Sequence, residues 1–137
     1  MTTPTLLAAV AAAALVAAPA ALGAPANFRT PSGNIGCDMR PSGVRCDILR
    51  YTYTPPARPA SCGLEWGDAV AVGRGGRARF VCHGDTVLPP PGSRYRVAYG
   101  TTVRRAGFRC TVTRAGVTCR NPAGRGFTLA RERVRLL

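Results

Sequence analysis

Apolar and polar positions alternate in short runs after residue 26, and turn-forming residues separate the runs. One pair of runs, "IGCDM" and "VRCDI", flanks "RPSG", and a second pair, "FRCTV" and "VTCR", flanks "TRAG". Alternation with a period of two is typical of β-strands, and a tight turn between two such runs predicts an antiparallel hairpin. A third hairpin is predicted for "DAVAV" and "RARFVC", because the glycines of the intervening "GRGG" suit a turn.

The remaining segments are predicted to be loops with short strands. "NFRTPSGN" is predicted to be a loop, and "YTYTPPARPASCG" a proline-rich connector that begins with the end of a strand. "TVLPPPGSRYRVAYG" predicts a rigid loop and then a strand, with Tyr95, Val97 and Tyr99 facing away from Arg94 and Arg96. The last segment, "LARERVRLL", suits either a strand or one or two helical turns. The pattern therefore predicts a mainly β, single small domain of antiparallel hairpins, forming a compact sheet, sandwich or barrel-like structure with little helix.

The N-terminal segment has the layout of a secretory signal peptide. An apolar run is followed by small residues, and no charged side chain precedes Arg29. Residues 1–23 are the predicted signal peptide, with cleavage after Gly23 or Ala26, and 27–137 is the predicted domain. Prolines interrupt the run before it reaches the roughly 20 apolar residues of a membrane span. We therefore expect a secreted or cell-wall-associated protein without a transmembrane span after processing.

The cysteines follow a pattern that occurs twice, C-x5-G-V-x-C, in "CDMRPSGVRC" and "CTVTRAGVTC". If Met39 faces Val44 across the first turn, the two cysteines of that motif become direct cross-strand neighbours, and the same count holds for the second. Opposed Cβ atoms lie about 4.5–5.5 Å apart, close to the spacing in a disulfide. The predicted pairs are Cys37–Cys46, Cys110–Cys119 and, by elimination, Cys62–Cys82. Structural zinc sites use closer pairs, C-x2–4-C, so no metal or cofactor is expected.

The charge is strongly one-sided. All 19 basic residues are Arg, only six residues are acidic, and the net charge is +13. Such a field attracts anions, and we expect an anionic envelope polymer or lipid surface in preference to nucleic acid. Arg and aromatic residues interleave in "SRYRVAYGTTVRRAGFRC", which predicts an anion-binding surface. Its candidate residues are Arg94, Arg96, Arg104, Arg105 and Arg109. The alternative is an ordinary strand pair with solvated Arg side chains.

His83 is the only histidine, and it lies close to Asp85 in "FVCHGDTV". As a general base oriented by Asp85 it would need a serine nucleophile, for which the candidates are Ser32, Ser42, Ser61 and Ser93. No nucleophile motif such as G-x-S-x-G accompanies it, so we expect a surface loop residue and no catalytic residues. Asp85 is expected to bond the backbone amides of its own turn.

Motifs along the whole mature chain carry a resemblance. They are "FRTPSGNIGCDM", "VRCDI", "CGLEWGDAV", "RFVCHGDTV", "YGTTVRRAGFRC", "GVTCRNPAGRGFTL" and "ARERVRLL". In this order they resemble a family of small exported actinobacterial proteins catalogued as a domain of unknown function. The resemblance implies export, a compact cysteine-rich fold of about 110 mature residues and an unassigned role, and it supplies no catalytic residues.

These observations favour a secreted, non-enzymatic small β domain that binds an anionic partner at or outside the cell envelope. The alternative is a secreted hydrolase inhibitor that presents a rigid loop, either "PPARPAS" or "LPPPGS". A hydrolase of unknown specificity is the third hypothesis, and the oligomeric state stays open.

Overall fold

The computed structural model describes residues 1–5, 9–17 and 27–137. The first two stretches form neither helix nor strand, and the first strand of the third stretch begins at Asn27. The predicted cleavage sites after Gly23 and Ala26 lie outside the described residues, so the signal peptide stays a prediction. Within the described ranges, no helix is long and apolar enough to cross a membrane.

The domain consists of two five-stranded antiparallel sheets, which confirms the predicted mainly β fold. In the first sheet the strands are β1 (Asn27–Arg29), β2 (Ile35–Arg40), β3 (Gly43–Ile48), β4 (Ala69–Gly73) and β5 (Arg79–Phe80). In the second they are β6 (Thr102–Arg105), β7 (Phe108–Thr113), β8 (Gly116–Arg120), β9 (Gly126–Leu129) and β10 (Val134–Leu136). Each strand pairs with its neighbour in sequence, so both sheets are meanders of consecutive hairpins.

The two cysteine hairpins have the predicted registers. Met39 faces Val44 in the β2–β3 pair, and Val112 faces Val117 in the β7–β8 pair. The disulfides are Cys37–Cys46, Cys62–Cys82 and Cys110–Cys119, which are the pairs that the sequence predicts.

The segment "NFR" is strand β1 rather than part of a loop. Phe28 faces Cys37 of β2 and is fully buried, so the prediction of a loop here was wrong. Only three residues pair with β2, too few for an alternating pattern to be visible in the sequence.

The strand predicted over "RYRVAYG" is also wrong. Ser93–Tyr95 form a single turn of 3-10 helix, and Arg96 makes one isolated bridge, to Arg29 of β1. Val97 packs against the core and Tyr95 is half-buried, whereas Tyr99 is exposed, so the predicted face is only partly buried and forms no strand ladder. The tyrosines that open the proline-rich connector also lie outside any strand, where Tyr51 and Tyr53 stack on each other.

The two sheets are structural repeats of each other, with their buried faces in contact. Equivalent registers give two rows that are buried except at their last positions: Phe28, Cys37, Cys46, Val70 and half-buried Phe80 in the first sheet, and Val103, Cys110, Cys119, Phe127 and exposed Leu136 in the second. The sulfur atoms of Cys46 and Cys119 lie 3.7 Å apart, and β4 contacts β9. Contacts between equivalent elements are what an approximate two-fold axis produces. The two local disulfides therefore lie at the centre of the core.

The glycine of the repeated motif allows the next strand to approach closely. A Cβ on Gly43 would lie 2.9 Å from the carbonyl oxygen of Val72 in β4. A Cβ on Gly116, whose φ is +120°, would overlap the carbonyl oxygen of Leu129 in β9. Both positions exclude larger residues because the fourth strand of each sheet packs against them.

Candidate anion-binding face and buried ionic cluster

The outward face of the second sheet is built from threonine and arginine. Strand pairing places Thr102, Thr111, Thr118, Thr128 and Arg135 in one row across β6–β10. The adjacent row consists of Arg104, Arg109, Arg120 and Gly126. Hydroxyl hydrogen bonds join Thr102 to Thr111 (3.0 Å) and Thr118 to Thr128 (2.9 Å). We call these two rows together the Arg/Thr face, and Arg104, Arg109 and Arg120 the arginine row.

The arginine row brings like charges directly opposite one another. Arg104 faces Arg109, and Arg109 faces Arg120, at cross-strand positions where like charges destabilise a sheet. Within residues 27–137, no carboxylate forms an ion pair with any of the three. Arg120 donates a hydrogen bond to the carbonyl of Gly124 at 2.6 Å, and Arg104 and Arg109 are exposed. The row is therefore a concentrated positive site for which residues 27–137 supply no carboxylate as a counter-charge.

The net charge is concentrated in the second half of the chain. Residues 27–85 contain eight Arg and five acidic residues, a net of +3, whereas residues 86–137 contain eleven Arg and one acidic residue, a net of +10. Together they account for the whole charge of +13. An anionic partner is therefore attracted mainly to the half of the molecule that carries the Arg/Thr face.

The five arginines predicted to bind anions do not form one surface. Arg104, Arg105 and Arg109 line a depression of about 370 Å³ at the β6–β7 hairpin. Arg94 lies over the ring of Tyr95, with its guanidinium carbon 4.5 Å from the ring centroid. Arg96 lies beside β1, where it donates to the carbonyl of Pro31 at 2.7 Å.

Sequence reasoning missed Arg120 and the threonine row. The cysteine register already contained the signal for Arg120, because pairing Cys110 with Cys119 places the preceding Arg109 opposite the following Arg120. Arg104 lies opposite Arg109 on the other side, in β6. That pairing depends on the β6–β7 register, which the cysteines do not set.

On the first sheet, the equivalent face carries an ionic cluster around buried Asp47. Arg45 donates to both carboxylate oxygens of Asp47, at 2.8 and 2.9 Å, and to the carboxylate of Asp85 at 2.9 Å. Asp47 is 2% exposed and also accepts from the hydroxyl of Thr86 (3.1 Å) and the amide of Val87 (3.0 Å). The hydrogen bond from Arg45 lowers the pKa of Asp85. Asp85 therefore pairs with Arg45, and a hydrogen bond from its own backbone amide also lowers the pKa of its side chain.

His83 is buried, so the prediction of a surface loop residue was wrong. Its Nε2 lies 2.8 Å from Oδ1 of Asp68, and its Nδ1 lies 2.6 Å from the carbonyl oxygen of Asp85. Both partners are acceptors, so only the doubly protonated ring satisfies both contacts. Burial by itself lowers the pKa of His83, but these hydrogen bonds and the charge of Asp68 outweigh it and raise the pKa above its usual 6.5.

Neither ring nitrogen of His83 is free to act as a base in this arrangement. Its hydrogen bonds within residues 27–137 involve none of the four candidate serines. Glu65, Asp68 and His83 bring possible metal ligands within 4.8 Å of one another, but a metal would have to displace the bond between His83 and Asp68. We interpret the cluster as structural, because the two hydrogen bonds of His83 hold Asp68 and the turn at Asp85 together.

Comparison with known proteins assigns the chain at the level of a family. A family model described as a family of unknown function, DUF6636, matches residues 5–137. No curated protein and no solved structure matches the chain. The match confirms the expected membership of a family without an assigned role, and because it spans nearly the whole sequence, the chain belongs to the family of unknown function DUF6636.

Proposed function

We propose that this protein is a secreted, non-enzymatic module that binds an anionic polymer at or outside the cell envelope through its Arg/Thr face. The arginine row is the observation that carries the proposal. Three directly opposed arginines, for which the described part of the domain supplies no carboxylate partner, repel one another in the free protein. A bound polyanion removes that repulsion and gains charge-assisted hydrogen bonds.

Two further features support the remaining parts of the proposal. Three disulfides in a small domain are typical of proteins outside the reducing cytoplasm, in agreement with the signal-peptide-like N-terminus. The enclosure of His83 between two acceptors supports a non-enzymatic role. The inhibitor alternative has less support, because Leu88 and Pro89 of one candidate loop pack against Gly36 of β2.

The test compares two variants of equal charge. The triple variant Arg104→Gln/Arg109→Gln/Arg120→Gln and the control Arg58→Gln/Arg77→Gln/Arg79→Gln each lower the net charge from +13 to +10. The control arginines are exposed and belong to the half of the chain that forms the first sheet. Binding to long-chain polyphosphate is measured by isothermal titration calorimetry, and circular dichroism checks the fold.

We expect the control to bind nearly as the parent does and the arginine-row variant to lose most of its affinity. Three phosphate contacts correspond to a salt slope between about −2.1 and −2.7, hence a roughly 20- to 40-fold loss of affinity between about 50 and 200 mM salt. Equal losses in the two variants, or binding that does not change with salt, would show that the Arg/Thr face is not the binding site.

A further inference from the structure

On the first sheet, a segment of the protein itself occupies the row that corresponds to the arginine row. That row consists of Arg29, Gly36, Asp47 and Ala69. Residues 85–89 cross it. Thr86 and Val87 bond to Asp47 of β3, and the carbonyl of Pro89 accepts from Nη1 of Arg29 in β1 at 2.9 Å.

The middle of this crossing passes over Gly36 of β2. A Cβ on Gly36 would lie 2.7 Å from Cδ2 of Leu88, so the missing side chain makes room for the segment. The extended segment therefore runs over β3, β2 and β1 in turn, held by a side chain at each end.

The two rows occupy equivalent places beside the two central disulfides. The positions that directly precede Cys37 and Cys110 are Gly36 and Arg109, and those that follow Cys46 and Cys119 are Asp47 and Arg120. Arg29 and Arg104 likewise follow the equivalent core residues Phe28 and Val103. Within residues 27–137, no hydrogen bond holds another segment across the arginine row.

The chemistry of the second row is the reverse of the first. Asp47 accepts hydrogen bonds from a hydroxyl and an amide of the segment that covers it, whereas its counterpart Arg120 only donates. Arg109 adds a second donor where Gly36 has no side chain. An extended occupant of the second row must therefore supply acceptors and negative charge along its length.

We propose that the arginine row binds a linear phosphodiester polymer that crosses β8, β7 and β6 as residues 85–89 cross β3, β2 and β1. This inference rests on the proposed function and specifies its ligand. Phosphate oxygens match the fork of the guanidinium group, and threonine hydroxyls are common phosphate donors. The two outer strands of the row are about 10 Å apart, so the row contacts a short run of polymer rather than a single ion.

The Arg/Thr face also indicates what the polymer lacks. Its outward positions on β6–β10 are threonine, arginine and glycine, without an aromatic ring on which a base could stack. Proteins that bind single-stranded nucleic acid without sequence preference gain much of their affinity from such stacking. The face therefore favours a phosphodiester chain without bases, such as a polyol phosphate.

The test uses three probes with equal numbers of charges: oligomeric glycerol phosphate, oligothymidylate and polyglutamate. Titrations on the parent protein are followed by the side-chain Nε–H signals of arginine in NMR spectra. The variant Arg109→Gln is compared with Arg79→Gln, an exposed arginine on the first sheet.

We expect glycerol phosphate to shift the signals of the arginine row and to bind more tightly than polyglutamate. Oligothymidylate should bind no more tightly than glycerol phosphate. Arg109→Gln should weaken glycerol phosphate binding about tenfold and reduce the magnitude of the salt slope by about one, whereas Arg79→Gln should change neither.

Each contrary outcome has a separate meaning. Tighter binding of oligothymidylate would overturn the assignment to a polymer without bases, and equal binding of polyglutamate would overturn the preference for phosphate. Binding that Arg109→Gln leaves unchanged would overturn the path across the row while the protein still binds polyanions. Failure of all three probes would overturn the proposed function as well.

Discussion

Removal of the disulfides one pair at a time tests how the core is stabilised. The chain-entropy model relates the stabilisation to the length of the closed loop. For Cys37–Cys46, with a separation of 9 residues, it gives about 2.6 kcal/mol, and for Cys62–Cys82, with a separation of 20, about 3.3 kcal/mol. Loop length alone therefore predicts that loss of Cys62–Cys82 is the more damaging change.

Burial reverses this order. Cys37 and Cys46 are fully buried at the contact between the two sheets, whereas Cys82 is exposed. Replacing a fully buried cysteine by alanine removes one methylene-sized group and leaves a small cavity, which costs about 1 kcal/mol. The two replacements together therefore cost about 2 kcal/mol of packing energy. The sum for the Cys37→Ala/Cys46→Ala variant is about 4.6 kcal/mol, against about 4.3 kcal/mol for Cys62→Ala/Cys82→Ala, in which only Cys62 is buried.

The free energy of unfolding of each double variant, measured by urea denaturation, checks this order. Partial reduction with a thiol, followed by alkylation and peptide mass analysis, gives a second measurement that needs no variant. Cys62 and Cys82 should be labelled first, because a reductant reaches exposed Cys82 without opening the core. If the Cys62→Ala/Cys82→Ala variant is less stable by the roughly 0.7 kcal/mol that loop length alone predicts, or the central pairs are reduced first, the reasoning from burial is refuted.

Two further predictions concern the ionic cluster of the first sheet. Because the pKa of His83 is raised on folding, its contribution to stability is complete below pH 6.5 and is lost as the pH rises through the folded-state pKa. The free energy of unfolding in urea, measured from pH 5 to 9, should show this loss in the parent and not in His83→Gln. Identical pH dependence in the two proteins would contradict a stabilising role of protonated His83. Asp47→Asn should cost about 3 kcal/mol and speed amide exchange at Val87, since it leaves Arg45 with a weaker partner. Hydrogen exchange by mass spectrometry measures this, and unchanged exchange over residues 85–89 would mean that Asp47 does not hold the segment.

The local hairpins were predictable because their information lies within about ten residues. In each repeated motif, a tight turn sets the register, and the register places the cysteines opposite each other. The core faces of β2, β3, β7 and β8 follow from the same alternation. The mainly β class and the three cysteine pairs therefore required no knowledge of tertiary contacts.

The sites could be predicted only in part, because their residues come from distant segments. The partners of His83 are Asp68 and Asp85, and Arg45 reaches the same turn across 40 residues of sequence. The sequence around His83 does not indicate that its ring is buried between the carboxylate of Asp68 and the carbonyl of Asp85. The alternation in "RYRVAYG" also led to the wrong prediction that Arg94 and Arg96 lie on a strand. An alternating pattern indicates which residues are packed, but not whether another strand lies beside the segment.

By itself, the sequence determined the secondary-structure class, the hairpin registers around the cysteines and the excess of positive charge. Tertiary structure decided where that charge acts. The first sheet uses Asp47 to hold residues 85–89 on its outer face, whereas the equivalent row of the second sheet carries arginines, and no segment within residues 27–137 is hydrogen-bonded across it. The reason is physical: turn geometry and alternation act between near neighbours, but the pairing of charges depends on which distant segments the fold brings together.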